Sequence, residues 1–420
     1  MNVALINPNR FRNPPTIPVG LEYLAHAMRQ AGHGVRLLDL CFVEDVGPAV
    51  DAFLAEQRPD VAMLSLRNVD SVINAADHFF LDEHRAIAER ITAAGVPLIV
   101  GGAGVVAMPE PIRVYLGADT VIVGPGEGAA VELLAAMAAG KPLPPLADGF
   151  GVAIDAVAVP ARAVDVDYAA YYAADGVAGV ASSYGCPCRC AFCIEARTRL
   201  VARAPEAVAA EVRSLVEQGW ARFHLCDAEM NVTYAHALAL CQALVGSGAS
   251  WITYMRHQPC DPVLAAAMRA SGCTMATVTV NSATDAPADA AATVAMLKAE
   301  GIQVAVDLSC GLPGETPEQA KAMIDALDVA RPGHVGVTTR YRIYPTTPLA
   351  ERIRADAAEH RFATGDPEFV RPAAYCRFDP AEVRTWLEGR EGFAIDTGEA
   401  VNYQRLNKGG RSQKPEGRSR

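Results

Sequence analysis

Short apolar, β-branched runs alternate with stretches of helical period through the first 140 residues. Strands are predicted at 2–7 (NVALIN), 34–40 (GVRLLDL), 60–66 (DVAMLSL), 96–102 (VPLIVGG) and 118–124 (ADTVIVG). Helices are predicted near 19–31, 47–57, 84–94 and 109–116, and from about 127. Parallel neighbours need crossover helices, so this alternation predicts a doubly wound parallel sheet, a Rossmann-like domain over 1–140. Ligands of such sheets sit beyond the carboxyl ends of the strands, which directs attention to the loops NPNRF, SLRNVDS, GGAGV and GPGEG. Residues 141–175, rich in Pro, Ala and Asp with weak periodicity, read as a linker. From 176 the alternation resumes, with strands at 176–182, 222–226, 250–255, 275–280, 302–309 and 335–343, the first five each preceding a helical stretch. An α/β fold follows, the first sheet succeeded by a partial (β/α)6 barrel over 176–355, whose functional residues belong at strand carboxyl ends. The pattern decays in a C-terminal extension, 356–406, and the polar, basic end 407–420 is expected to be disordered.

A chain of 420 residues exceeds the size at which one core stops growing, in keeping with two domains. With 51% hydrophobic and 20% charged residues it can bury sizeable cores. A net charge of −11 argues against nucleic acid or an anionic membrane as partner and favours a small molecule or peptide. The start, MNVALINPNR, lacks the basic and apolar regions of an export signal, and no run of about 18 apolar residues occurs, so a soluble cytoplasmic protein is expected. In that compartment 11 cysteines point to metal or catalysis rather than disulfides.

The cysteines concentrate in SSYGCPCRCAFCIEA (182–196), directly after the first barrel strand. Cys186, Cys190 and Cys193 have three and two residues between them, with Cys188 in addition. Structural zinc needs four ligands from paired knuckles, and no second pair is evident downstream. Three thiolates instead leave one iron of a [4Fe-4S] cube without a protein ligand, the arrangement expected where a substrate or cofactor must bind the cluster.

C-x3-C-x2-C at this position, with Phe192 before the last cysteine, resembles the radical S-adenosylmethionine (SAM) family. The resemblance implies that Cys186, Cys190 and Cys193 ligate the cluster, that SAM chelates its open iron, and that Cys188 is a bystander. It extends along the barrel. In CDAEMN, Glu229 or Asp227 stands where the family holds the amino group of SAM; an acid pair or helix cap is the other reading. Arg256, after the third strand, would face the SAM carboxylate, or be an ordinary rim arginine. Ser282 follows the fourth strand as a small polar contact to SAM. GLPGETPEQ brings Gly311 and Pro313 beside the adenine, with Thr316 also suited to capping the helix that follows. RYRIYPTTPL ends the sixth strand with Arg340, Tyr341, Arg342 and Tyr344, for adenine or substrate contact.

The first domain lacks G-x-G-x-x-G after its first strand, where NPNRFRN occurs instead. Its segments 17–40, SLRNVD, GGAG and VGPGEG, in this order ahead of the cysteine motif, resemble the cobalamin-binding domain of B12-dependent radical SAM enzymes. Gly101, Gly102, Gly104, Gly124, Gly126 and Gly128 would let backbone approach a corrin, or simply terminate strands. Asn7, Ser65, Asn68, Asp70 and Glu127 are further candidates for cobalamin contact. The D-x-H-x-x-G motif that supplies a histidine to cobalt is absent. Cobalamin is therefore expected to bind without a protein histidine, its lower face covered by Leu66–Asn68, where Arg67 cannot readily ligate metal.

The resemblance implies a methyltransferase that moves a methyl group from SAM, through methylcobalamin, to carbon or phosphorus of a small natural-product precursor, amino acid or peptide. A flavodoxin- or ferredoxin-type protein would supply electrons. Two readings stay open within the architecture: polar transfer like that of tryptophan 2-C-methyltransferase, and rearrangement or cyclisation. A non-catalytic metal-binding sensor is the reading from another class.

Overall fold

The apolar runs of the first domain become strands, the inner ones buried on both faces. A computed structural model describes residues 1–12, 14–71, 78–152, 160–364 and 370–395; the tail expected to be disordered lies outside them. Strands β1 (Asn2–Asn7), β2 (Gly34–Asp39), β3 (Val61–Ser65), β4 (Leu98–Gly101), β5 (Thr120–Val123) and β6 (Leu146–Asp148) form a sheet in the order β2-β1-β3-β4-β5-β6. All its pairs are parallel. Period-two alternation sends Ala4 and Ile6 of β1 into one core, beside helices 46–57, 81–93 and 109–116. Val3 and Leu5 point into the opposite core, beside helices 19–30 and 126–138. The order is flavodoxin-like, and the switch between β1 and β3 opens a crevice at the carboxyl edge.

The segment expected to be a linker carries β6 and a helix, Tyr168–Ala173. Neither shows in the apolar pattern, because β6 is three residues long and largely exposed. Next come β7 (Ala178–Val180), a short hairpin of β8 (Ser183–Tyr184) and β9 (Val201–Ala202), then β10 (Arg222–Leu225), β11 (Ser250–Arg256), β12 (Cys273–Asn281) and β13 (Gln303–Ser309). The predicted sixth strand divides. β14 (His334–Thr338) stays in the barrel, whereas β15 (Tyr341–Ile343) pairs antiparallel with β17 (Ala373–Tyr375), which also pairs with β16 (Ala363–Thr364). The Tyr341 hydroxyl donates to Thr338 O at 2.7 Å and Cys310 O at 2.8 Å, holding the chain where it leaves the barrel. β18 (Phe393–Ile395) from the C-terminal extension then adds to β14, giving an open seven-stranded parallel sheet, β7-β10-β11-β12-β13-β14-β18, rather than six strands.

Proline stands at the first turn of the crossover helices 205–217, 262–270, 287–299 and 317–330, where its missing N–H costs nothing. Thr316 caps the last of these, and Gln319 completes the capping box. Buried charge joins the domains. The Arg162 guanidinium donates to Glu22 Oε2 at 2.9 Å, to the Tyr168 hydroxyl at 2.8 Å and to Gly179 O at 2.9 Å, and also to Glu211 Oε1. Asp70 and Arg342 form a second buried pair at 2.8 Å. Among the described residues no helix is long and apolar enough to cross a membrane.

Candidate active site

A cavity of about 1430 Å³ opens where the carboxyl ends of the barrel strands face the loops of the first domain. Cys188, Cys190 and Cys193 border it from the barrel side, and Arg67, Asn68 and Gly104 from the other.

The cysteine loop is tied shut at its base. Gly185 adopts φ 77°, and a Cβ there would lie 2.2 Å from Arg199 O. The Cys186 N–H donates to Thr198 Oγ1 at 2.8 Å, and the Arg197 N–H to Cys188 O at 2.8 Å. Phe192 stacks on Tyr341 with ring centroids 4.8 Å apart, and the Leu349 N–H donates to Ala191 O at 2.7 Å. Burial pushes the Cys186 and Cys193 thiols up to about 12 and raises Cys190. Free thiols here hold their protons more tightly than usual, and a bound metal would displace them. No three His, Cys, Asp or Glu side chains among the described residues converge on a point that would hold a single ion. Cysteines that each take a different iron of a cube are held apart by the cube, so the donor set fits that group.

Of the two acids expected to hold SAM, only Glu229 lines the cavity. Its Oε1 accepts from Thr279 Oγ1 at 2.7 Å, while Oε2 is buried with no hydrogen-bond partner among the described residues. Burial raises its carboxyl to about 7, the Thr279 bond and Arg256 opposing. An orphaned buried carboxylate oxygen beside the cysteine loop fits the ammonium group of SAM. Asp227 is occupied structurally instead. It accepts the Ser182 N–H at 2.6 Å, the Ser183 N–H at 3.0 Å and the Ser182 hydroxyl, and so shapes the entry to the cysteine loop. Arg256 lines the cavity, and its Nη1 donates to Cys188 Sγ at 3.0 Å.

Ser282 also lies outside the lining. It donates to Ser309 O at 3.0 Å and to Glu315, and Glu315 in turn accepts the Gly311 and Leu312 N–H groups at 2.7 and 2.9 Å. Gly311 is thus held by Glu315, a residue the sequence reading did not single out, and Pro313 borders the cavity. Arg340 and Tyr344 line it too, Tyr344 packing against the first domain's core.

In the first domain, Asn7 donates to Asp39 Oδ1 at 2.8 Å, Asp70 pairs with Arg342, and Glu127 accepts from the Tyr184 hydroxyl at 2.7 Å. All three hold the scaffold and lie outside the lining, as does Ser65 at the end of β3. Of the glycines, Gly104 reaches the cavity, whereas Gly101, Gly102, Gly124 and Gly126 do not. Gly102 has φ 96°, and a Cβ would lie 2.4 Å from Leu66 O; the ring of Phe150 fills the space beside Gly124. These two glycines admit neighbouring protein, the 66–68 loop at Gly102 and Phe150 at Gly124. Among the described residues, Arg67, Asn68 and Val69 line the cavity from the loop after β3.

The sequence reading missed the deep wall, formed by His224, Tyr254, Asp307 and His334. Polar residues inside apolar strands (RFHLC, VAVDLS) were the available signal. Burial, with Arg67 nearby, lowers His224 to about 4, and burial raises Asp307 to about 7.

Comparison with known proteins agrees with this geometry. Residues 12–134 match the family described as B12 binding domain. Tryptophan 2-C-methyltransferase of Streptomyces laurentii is 25% identical, over 84% of this chain and 74% of its own. The structure of the radical S-adenosylmethionine methyltransferase TsrM from Kitasatospora setae with cobalamin and [4Fe-4S] cluster bound superposes with TM-score 0.78 at 26% identity, over 85% of this chain and 78% of that one. The same enzyme with tryptophan substrate and a SAM analog is similar at 27% identity, 85% and 76% coverage and TM-score 0.78. The cobalamin-dependent S-adenosylmethionine radical enzyme OxsB, 14% identical over 92% of this chain and 67% of its own, shares the fold with TM-score 0.71.

Proposed function

We propose that this chain, a cobalamin-dependent radical SAM enzyme of the methyltransferase type, methylates a small molecule inside the cavity between its two domains. The observation that carries the reading is convergence: the cysteine loop, the orphaned Glu229 oxygen and the Arg67–Asn68 loop border one cavity. When bound, the cluster would activate or position SAM and the corrin would relay its methyl group. Cys186, Cys190 and Cys193 would hold the cluster, Glu229 the SAM ammonium, Arg256 its carboxylate, and Gly311 and Pro313 its adenine. Arg67 and Asn68 would meet the corrin, the Arg67 cation disfavouring a further ligand on cobalt. Arg340 and Tyr344 would contact substrate. The substrate of the relatives makes an aromatic amino acid the first to try. An external flavodoxin- or ferredoxin-type donor and a cytoplasmic location complete the proposal.

Polar rather than radical transfer is the second reading within the same architecture. Anaerobic reconstitution with SAM and candidate substrates tests both. About four irons per chain, lost when the three cysteines become Ala, with S-adenosylhomocysteine formed on turnover, supports methyl transfer. Equal 5′-deoxyadenosine alongside it supports the radical route, and its absence the polar one. One zinc per chain, or 5′-deoxyadenosine alone, refutes methyl transfer.

A further inference from the structure

A charged pair from the C-terminal extension, unused by the proposed roles, meets the loop that follows β13. That loop, Gly311–Glu315, presents Leu312 and Pro313 to the cavity. Its Gly314 N–H donates to Glu359 Oε1 at 3.0 Å, and Arg377 Nε donates to Glu315 O at 2.9 Å. The two side chains are themselves joined, Arg377 Nη1 lying 2.9 and 3.0 Å from the two Glu359 oxygens. Glu359 is buried, and its Oε2 also accepts from the Tyr375 hydroxyl at 2.5 Å. Phe378 closes on the start of the loop, where a Cβ on Gly311 would lie 3.2 Å from its ring. Leu312 shares one small apolar core with Tyr375 of β17, Tyr341 of β15 and Phe192 of the cysteine loop.

We propose that Glu359 and Arg377 are positioning residues for SAM: they fix the backbone of Gly311–Glu315 where it meets the adenine, so that the C-terminal extension completes the SAM site. The inference rests on the adenine contact of Gly311 and Pro313 in the proposed function. Neither Glu359 nor Arg377 borders the cavity, so each acts through the loop and not by touching the ligand. Glu315 secures the loop from within, through the Gly311 and Leu312 N–H groups, and leaves the Gly314 N–H and its own carbonyl to the extension. Hydrogen bonds with an ionised partner are the stronger kind, and removing the Glu359 carboxylate would strand a backbone N–H, a guanidinium and a phenol together. Affinity scales with the fraction of the loop in its competent arrangement, so a population cut to about a tenth weakens adenosine binding about tenfold. The shared apolar core ties this loop to the cysteine loop, and the extension thereby sets how the two sit against each other.

Titration calorimetry on the reconstituted holoenzyme tests the role with two probes, S-adenosylhomocysteine and 5′-methylthioadenosine, which share the adenosine while only the first carries an ammonium group. Glu359→Ala is expected to weaken both about tenfold or more, with iron content and cobalamin affinity unchanged. Glu359→Gln, which still offers an acceptor to the Gly314 N–H, should recover part of the loss. Glu229→Gln should weaken S-adenosylhomocysteine alone, because its partner is the ammonium group. Unchanged affinity for 5′-methylthioadenosine in Glu359→Ala overturns the positioning role, as does a loss matched by an equal fall in cobalamin affinity, which a merely structural pair would give. Should Glu359→Ala not fold, Arg377→Gln, at the more exposed partner, is judged by the same criteria. A wild type that binds neither probe refutes the SAM-dependent reading itself, whereas wild-type binding that the variants leave intact refutes the positioning role alone.

Discussion

Replacing Arg162 by Met tests how the two domains are held together beneath the cavity. Arg162 is buried, and its guanidinium donates to Glu22, Glu211, Tyr168 and Gly179 O while lying 5.2 Å from the centre of the Tyr23 ring. Met keeps the volume and removes the charge. Glu211 retains Arg203, whose Nη2 lies 2.8 Å away, so its charge stays compensated. Glu22, 4% exposed, keeps the Tyr168 hydroxyl at 2.8 Å and the Ala163 N–H at 2.8 Å but loses its cation. Breaking a buried pair from one side costs about 3–5 kcal/mol, and the remaining hydrogen bonds place this case near the lower end. At about 2 °C per kcal/mol for a chain of this size, the melting temperature should fall by roughly 6–8 °C. Urea unfolding of the metal-free chain measures the change, and Glu22→Gln in the Arg162→Met background should recover about half, because the stranded charge is removed. A loss below about 1 kcal/mol, or no recovery in the double variant, would show that the network is solvated and the reasoning wrong.

Three further outcomes follow from the site. Cys190→Ala should lose the cluster, measured as iron content and visible absorbance, whereas Cys188→Ala should keep its iron and lose only the contact with Arg256. Glu229→Gln should weaken SAM about tenfold or more at pH 8. Raised from 4.5 to about 7, Glu229 contributes stability that is complete below the ordinary carboxylate range and lost as pH rises through 7. The substitution should therefore stabilise the SAM-free chain at pH 8 by about 3 kcal/mol while leaving it nearly unchanged at pH 4; equal effects at both pH values would argue against that cause. Gly102→Ala should destabilise by about 2 kcal/mol or more, because φ is 96° and Leu66 O stands 2.4 Å from the added carbon; unchanged melting would mean the loop yields freely.

Local chemistry made much of this protein readable from its sequence. The apolar period of β1–β5, the proline-started crossover helices and the spacing of Cys186, Cys190 and Cys193 depend on neighbours in the chain, so they are written locally. The capping of helix 317–330 by Thr316 is of the same kind. What depends on meeting a distant segment was not readable. β6 and β18 are three residues each and exist because a sheet edge receives them. Asp227 and Glu229 look equivalent two positions apart, yet one is consumed by the Ser182–Ser183 backbone and the other faces the cavity with a bare oxygen. Asp70 reads as a loop acid until Arg342, from the far end of the chain, reaches it. Pattern along a chain reports which residues can make a strand, a turn or a ligand, because those limits are steric and local. Which polar groups remain unsatisfied, and therefore available to a ligand, is settled only when the tertiary structure has assigned partners to all the others.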